Sequence, residues 1–116
     1  MNYWGMPGIP LEAGKGLTVL DHHIIQVVCD HYKVTRKELE SRTRERSIAY
    51  PRQIAYYLLS TMGRTGLKVL GETFCRDHST VIHARDKVKT EMQVTPRIKE
   101  DIFLLKEKVH TALLKK

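Results

Sequence analysis

The sequence has only two cysteines, Cys29 and Cys75, far apart and outside any Cys-x-x-Cys pair. That spacing excludes a disulfide framework and reads as two reduced thiols in a cytoplasmic protein. No apolar run nears the ~20 residues that a membrane-spanning helix needs, so no membrane span is expected. The N-terminus lacks the basic start and apolar core of a secretion signal. No stretch alternates apolar and polar residues as a half-buried strand would, and no internal repeat is visible.

The chemistry of catalysis is equally sparse. His22 and His23 are adjacent and cannot share one helical face, while His78 and His83 miss the i, i+4 spacing of helical metal ligands. No nucleophile, base and orienting group stand in a recognisable set. No Gly-x-x-x-x-Gly-Lys-Ser/Thr phosphate loop occurs, and Gly63-Arg-Thr-Gly66 lacks the lysine and the length for one. The expectation is a protein with no enzymatic activity, no cofactor and no metal.

What the chain does have is positive charge and helical patterning. Its 116 residues suit one domain, and an apolar content of 41% suffices for one modest core. The net charge of +7 favours a polyanionic partner, although a basic surface also serves plain solubility. Residues 1–17 carry Gly5, Pro7, Gly8, Pro10, Gly14 and Gly16, the composition of a flexible tail. Within it, Tyr3, Trp4 and Met6 can dock on a partner or pack on the domain. The domain proper is placed at 18–116.

Helical signals begin at Thr18. Thr18 and Asp21 have capping-box spacing, and Leu20, Ile24, Val27 and Val28 recur helically as far as Tyr32. Thr35 and Glu38 repeat the box and open a short helix ending near Ser41. Pro51 suits the first turn of the next helix, where its missing N–H costs nothing. Ile54, Leu58 and Met62 line one face of that helix, and Gly63 ends it. A short helix from Leu67 to Phe74 turns Leu67, Leu70 and Phe74 inward. After a tight turn at Cys75-Arg76, Asp77 caps a helix that buries Val81, Ala84, Val88 and Met92. Gln93 and Val94 lead to Thr95-Pro96, and a last helix aligns Ile98, Ile102, Leu105, Val109 and Leu113. The chain reads as all-α.

Two polar clusters stand out. Arg76-Asp77-His78-Ser79-Thr80 opens the second of two short helices joined by a tight turn, the pattern of a helix-turn-helix. In that geometry Asp77 can accept from a cytosine amino group, and His78 can donate to a guanine or thymine acceptor. Ser79 and Thr80 can reach a base edge or a phosphate. The plainer reading is that short polar residues there cap a helix. The second cluster is the loop Arg42-Thr43-Arg44-Glu45-Arg46-Ser47, with Arg52 and Gln53 beyond it. Its arginines can enter a narrow minor groove or hold phosphates. They can equally be solvated charges paired with Glu40 and Glu45.

The string Arg44-x-Arg46-Ser47-Ile48-Ala49-x-Pro51-Arg52-Gln53-Ile54-Ala55, followed by Arg76-Asp77-His78-Ser79-Thr80-Val81-x-His83-Ala84, resembles the C-terminal DNA-binding domain of the bacterial replication initiator DnaA. The resemblance runs from about Thr18 through the last helix. It implies a compact, Trp-repressor-like helical fold with an embedded helix-turn-helix that recognises a short double-stranded DNA element of the DnaA-box type. It implies that Arg44 enters the minor groove and that Asp77, His78 and Ser79 face bases in the major groove. It further implies phosphate contacts from Arg46, Ser47, Arg52, Gln53, Lys68, Thr80 and His83. Departures are Ser79 where threonine is frequent, Tyr50 at a position often basic, Lys68 where proline is common, and Cys75 in place of a glycine pair.

A complete initiator of this type carries an ATP-binding module ahead of this domain. The expectation here is a stand-alone domain that occupies such sites, modulating replication initiation or transcription without ATPase activity. The full-length initiator and other replication proteins are the candidate protein partners. Two alternatives stay open: a helix-turn-helix regulator with an unrelated operator, and a protein-interaction module built on the C-terminal helix. For the latter, Lys106, Lys108, Lys115 and Lys116 flank the apolar stripe.

Overall fold

A computed structural model describes residues 17–74 and 76–114, and among them every regular element is a helix. The order is α1 (Val19–Tyr32), α2 (Arg36–Glu40), α3 (Arg46–Met62), α4 (Leu67–Thr73), α5 (His78–Val94) and α6 (Pro96–Leu114). Residues 1–16, with the expected tail and its Tyr3, Trp4 and Met6, lie outside the described residues, as do Cys75, Lys115, Lys116 and the Leu113 side chain. Leu17, assigned on sequence to the tail, is buried in the core.

Both capping boxes form. The Thr18 hydroxyl accepts from the Asp21 amide at 3.2 Å, and the Asp21 carboxylate accepts from the Thr18 amide at 3.0 Å. Thr35 and Glu38 make the same exchange at 3.0 and 2.8 Å. Each box satisfies backbone donors that a helix start leaves open. Lys33, at φ 58° and ψ 46°, ends α1 in the left-handed conformation, with its amide bonded to the Cys29 carbonyl.

α3 starts earlier than its proline suggests. The amides of Ile48 and Ala49 both bond to the Glu45 carbonyl, at 3.0 and 2.7 Å, so the helix is under way at Arg46. Pro51 therefore sits inside the helix, in its second turn. Its ring removes only the bond to the Ser47 carbonyl, and Ser47 is exposed, so water can replace the lost donor. The other end of the chain also differs: α5 continues through Gln93 and Val94, and only Thr95 separates it from α6. Pro96 opens α6, where the missing N–H is tolerated.

α3 is the central element. It packs most extensively on α5 and next on α1, and it also meets α2, α4 and α6. Ile54, Ala55, Tyr56, Tyr57, Leu58 and Leu59 are consequently all buried, wider than the single stripe the spacing predicts. Leu39 from α2, Leu70 and Phe74 from α4, and Val81, Ala84 and Val88 from α5 complete one core, while Leu67, Met62 and Met92 are half-buried against it. From α6, Ile102, Leu105 and Val109 close the core, leaving Phe103 and Leu104 exposed beside the stripe.

Asp21 ties α1 to the segment leading into α4. Its fully buried carboxylate accepts from Thr18, from the Arg64 amide at 3.2 Å and from the Thr65 hydroxyl. Burial alone pushes this carboxyl up, but the bonds from Thr65, Thr18 and Arg64 outweigh it and hold it below the usual 3.8.

Candidate nucleic-acid interface

α4 and α5 form a helix-turn-helix whose turn is fixed by a close backbone approach. The Arg76 amide bonds to the Gly71 carbonyl at 2.7 Å. A Cβ on Gly71 would lie 2.6 Å from the Arg76 carbonyl oxygen and 3.0 Å from the His78 nitrogen, so only glycine fits. This requirement was invisible in the sequence, where Gly71 is simply a glycine inside a helical pattern.

The turn presents Asp77, His78, Ser79 and Thr80 to solvent at the start of α5. Asp77 holds the N-cap backbone position, and the Thr80 amide bonds to its carbonyl at 3.0 Å. Its side chain makes no capping hydrogen bond, which corrects the expectation that it closes the helix start. The carboxylate and the His78 and Ser79 amides are left without an internal partner among the described residues, available for an incoming group.

The basic loop is anchored at two points. Arg52 is only 8% exposed, and its Nε and Nη1 donate to the Leu39 carbonyl at 2.9 Å and the Thr43 carbonyl at 3.0 Å. Arg76 donates through Nη2 to the Ser41 carbonyl at 2.9 Å, so the loop and the helix-turn-helix turn are joined directly. Burial shifts the Arg52 guanidinium below its ordinary value, with Tyr56 opposing the shift and Arg76 adding to it. Arg52 is thus largely committed to holding the loop, a role its exposed-looking sequence position does not suggest.

Two clefts lie between α3 and α5. One is lined by Arg52, Gln53, Arg76, Thr80, His83 and Lys87. The other gathers Arg44, Arg46, Gln53, Lys87 and Glu91. They share Ala49, Gln53 and Lys87 and so form one continuous basic groove beside the α5 N-terminus. Arg44 and Arg46 are exposed and form no ion pair among the described residues. Of the two acids expected to neutralise them, Glu40 pairs with Arg36 at 3.1 Å instead, and Glu45 forms no ion pair among the described residues.

Two of the phosphate candidates stand apart from this groove. Ser47 lines a different cleft with Tyr50, Arg97 and Asp101, on the side toward α6. Lys68 is exposed on α4 and lines neither groove cleft. Tyr50, one of the departures, is half-buried; its ring stands edge-on to Tyr32, and its hydroxyl donates to Asp101 at 3.4 Å. It braces α3 against α6. Sequence reasoning had missed Tyr56, Arg76 and Lys87 as groove residues. Lys87 was findable, because it lies seven residues beyond Thr80 on the same helical face.

Comparison with known proteins matches residues 22–88 to the family described as the bacterial DnaA protein helix-turn-helix. The chromosomal replication initiator protein DnaA of Symbiobacterium thermophilum is 44% identical over 89 residues, 76% of this chain. The proteins of the same name from a Thermoanaerobacter species and from Caldanaerobacter subterraneus are each 38% identical over 86 residues, 74% of this chain. In each case the match covers 19% of the relative, so the chain spans about a fifth of those proteins. Among the described residues no helix is long and apolar enough to cross a membrane.

Proposed function

This chain belongs to the bacterial DnaA helix-turn-helix family, and on that premise we propose that it binds double-stranded DNA at sites of the DnaA-box type. The observation that carries the reading is the continuous basic groove beside an open α5 N-terminus, whose Asp77 carboxylate is not used as a cap.

In the proposed complex α5 enters the major groove by its N-terminal turn. Asp77 accepts from a cytosine amino group, His78 donates to a guanine or thymine acceptor, and Ser79 contacts a neighbouring base edge. Arg44, at the tip of the anchored loop, reaches the adjacent minor groove, where negative potential is concentrated. Arg46, Gln53, Thr80 and His83 hold phosphates along the basic groove, and Lys68 and Ser47 meet the backbone at its margins. Arg52 contributes its remaining guanidinium nitrogen and, through its two carbonyl bonds, the position of the loop itself.

The proposed role is occupancy, since every contact above is made by binding. The protein holds DnaA-box-like sites and modulates replication initiation or transcription without ATPase chemistry. It meets a full-length initiator as a competitor for the same DNA.

The test is a binding titration at several salt concentrations, with a DnaA-box duplex and a scrambled duplex of equal length. Affinity for both falls steeply with salt, and the box is preferred at every salt concentration. Equal affinity for the two duplexes would overturn the sequence-specific reading. Binding to neither would overturn DNA recognition altogether.

A further inference from the structure

The cleft between α3 and the first turns of α5, about 260 Å³, has a floor that the fold does not satisfy. Two buried polar atoms there have no hydrogen-bond partner: Arg52 Nη2 and the Tyr56 hydroxyl. Arg52 is 8% exposed and Tyr56 is 2% exposed, and both line this cleft. They stand four residues apart on α3 and so share a face, one turn from each other. Leaving such donors unpaired in a folded interior is costly, and native structures seldom do so without a ligand, ion or water to receive them.

The unmet atoms are donors. Tyr56 is held protonated by burial, with the nearby Arg76 and Arg52 charges only partly opposing that effect. Arg52 has no acceptor atom at all. The rim adds the exposed Thr80, His83 and Lys87 together with Arg76, and no carboxylate lines this cleft among the described residues. The neighbouring clefts differ, since Glu91 lines one and Asp101 the other. A cavity with a donor floor and a cationic rim selects an anion with several acceptor oxygens over water or a cation.

We propose that this cleft is a seat for one phosphate group, in which the Tyr56 hydroxyl and Arg52 Nη2 are the two inner donors. The inference rests on the DNA-binding reading for its first source of phosphate, a backbone phosphodiester; free inorganic phosphate is the second. Tyr56 becomes a binding residue whose ring also packs edge-on against Phe74, with centroids 5.1 Å apart. That packing lets the hydroxyl be removed without removing the ring.

Tyr56→Phe tests the seat in two arms. In the DNA arm, affinity for the box and scrambled duplexes falls equally, by about tenfold, the range of a hydrogen bond to a charged group. The salt slope stays unchanged, because a neutral donor releases no counterion. In the phosphate arm, melting temperatures are compared in inorganic phosphate and in chloride at equal ionic strength, and wild type gains more from phosphate than Tyr56→Phe does. Without either ligand, Tyr56→Phe melts at or above the wild-type temperature, since an unmet hydroxyl has been removed. Dependence on the hydroxyl in the DNA arm assigns the seat to the duplex backbone, and dependence in the phosphate arm alone assigns it to free phosphate. Dependence in neither arm overturns the proposal. So does a loss confined to the box duplex, which would be base reading, or a drop in ligand-free stability, which would mean an internal partner. A wild-type protein that binds both duplexes equally would refute box specificity while leaving this comparison intact.

Discussion

Four helix starts of this domain fall into two kinds, while α4, which begins at Gly66 without a side-chain cap and lines neither cleft of the groove, stands outside both. α1 and α2 open with complete capping boxes at Thr18 and Thr35, while α3 and α5 open at Glu45 and Asp77 with no side-chain cap at all. The capped starts belong to the scaffold: Asp21 is buried and tied to Arg64 and Thr65, and the Thr35 box fixes the short helix that carries Leu39 into the core. The open starts flank the basic groove. At the two boxed starts the first-turn donors are satisfied by side chains of the fold itself. Where the surface is proposed to meet a polyanion, no side chain caps the helix start, and Arg44 and Arg46 beside it form no ion pair among the described residues.

The largest effect expected from breaking this division is on the scaffold side. Asp21→Ala removes the acceptor for four donors, two from Thr18 at the helix start and two from Arg64 and Thr65 in the segment ahead of α4. Thermal unfolding should show a loss of about 2–3 kcal/mol, roughly 10 °C or more in melting temperature. Its preference between duplexes should survive at temperatures where the variant remains folded. The same carboxylate gives a pH signature. Its folded value lies below the usual 3.8, so its contribution is fully present above that pH and is lost as pH falls further. Wild type should therefore destabilise more steeply below about pH 4 than Asp21→Asn does.

A smaller pair of substitutions sets the two kinds of helix start against each other. Thr35→Ala deletes a working cap and should cost about 1 kcal/mol with DNA affinity little changed. Asp77→Ala occupies the same helix position but breaks no cap bond, so its melting temperature should stay within a degree or two of wild type. Its effect should appear in the base preference at one position of the duplex. A full capping penalty at Asp77 would erase the distinction between the two regions.

Local chemistry explains what could be read from the chain. The boxes at Thr18 and Thr35 and the polar first turn of α5 involve residues within a few positions of each other, and all were visible; the left-handed end of α1 at Lys33 was not read. Pro51 misled the start of α3, because a proline is acceptable one turn further in when the orphaned carbonyl can face water. Asp77 looked like a cap for the same local reason and is not one. The roles of Arg52, Tyr56 and Gly71 were hidden for a different cause. Each depends on segments brought close by the fold: the Leu39 and Thr43 carbonyls for Arg52, the α5 turn for Gly71, and the cleft between α3 and α5 for Tyr56. A guanidinium that folds inward and one that faces DNA are the same letter in a sequence.

The central claim is that the open start of α5 reads base edges. Its most direct test is the affinity ratio between box and scrambled duplexes for wild type and for His78→Ala at one salt concentration. The account predicts that the ratio falls toward one in His78→Ala, a loss of about 1–3 kcal/mol of discrimination, while affinity for the scrambled duplex is nearly unchanged. A ratio unchanged from wild type would contradict it.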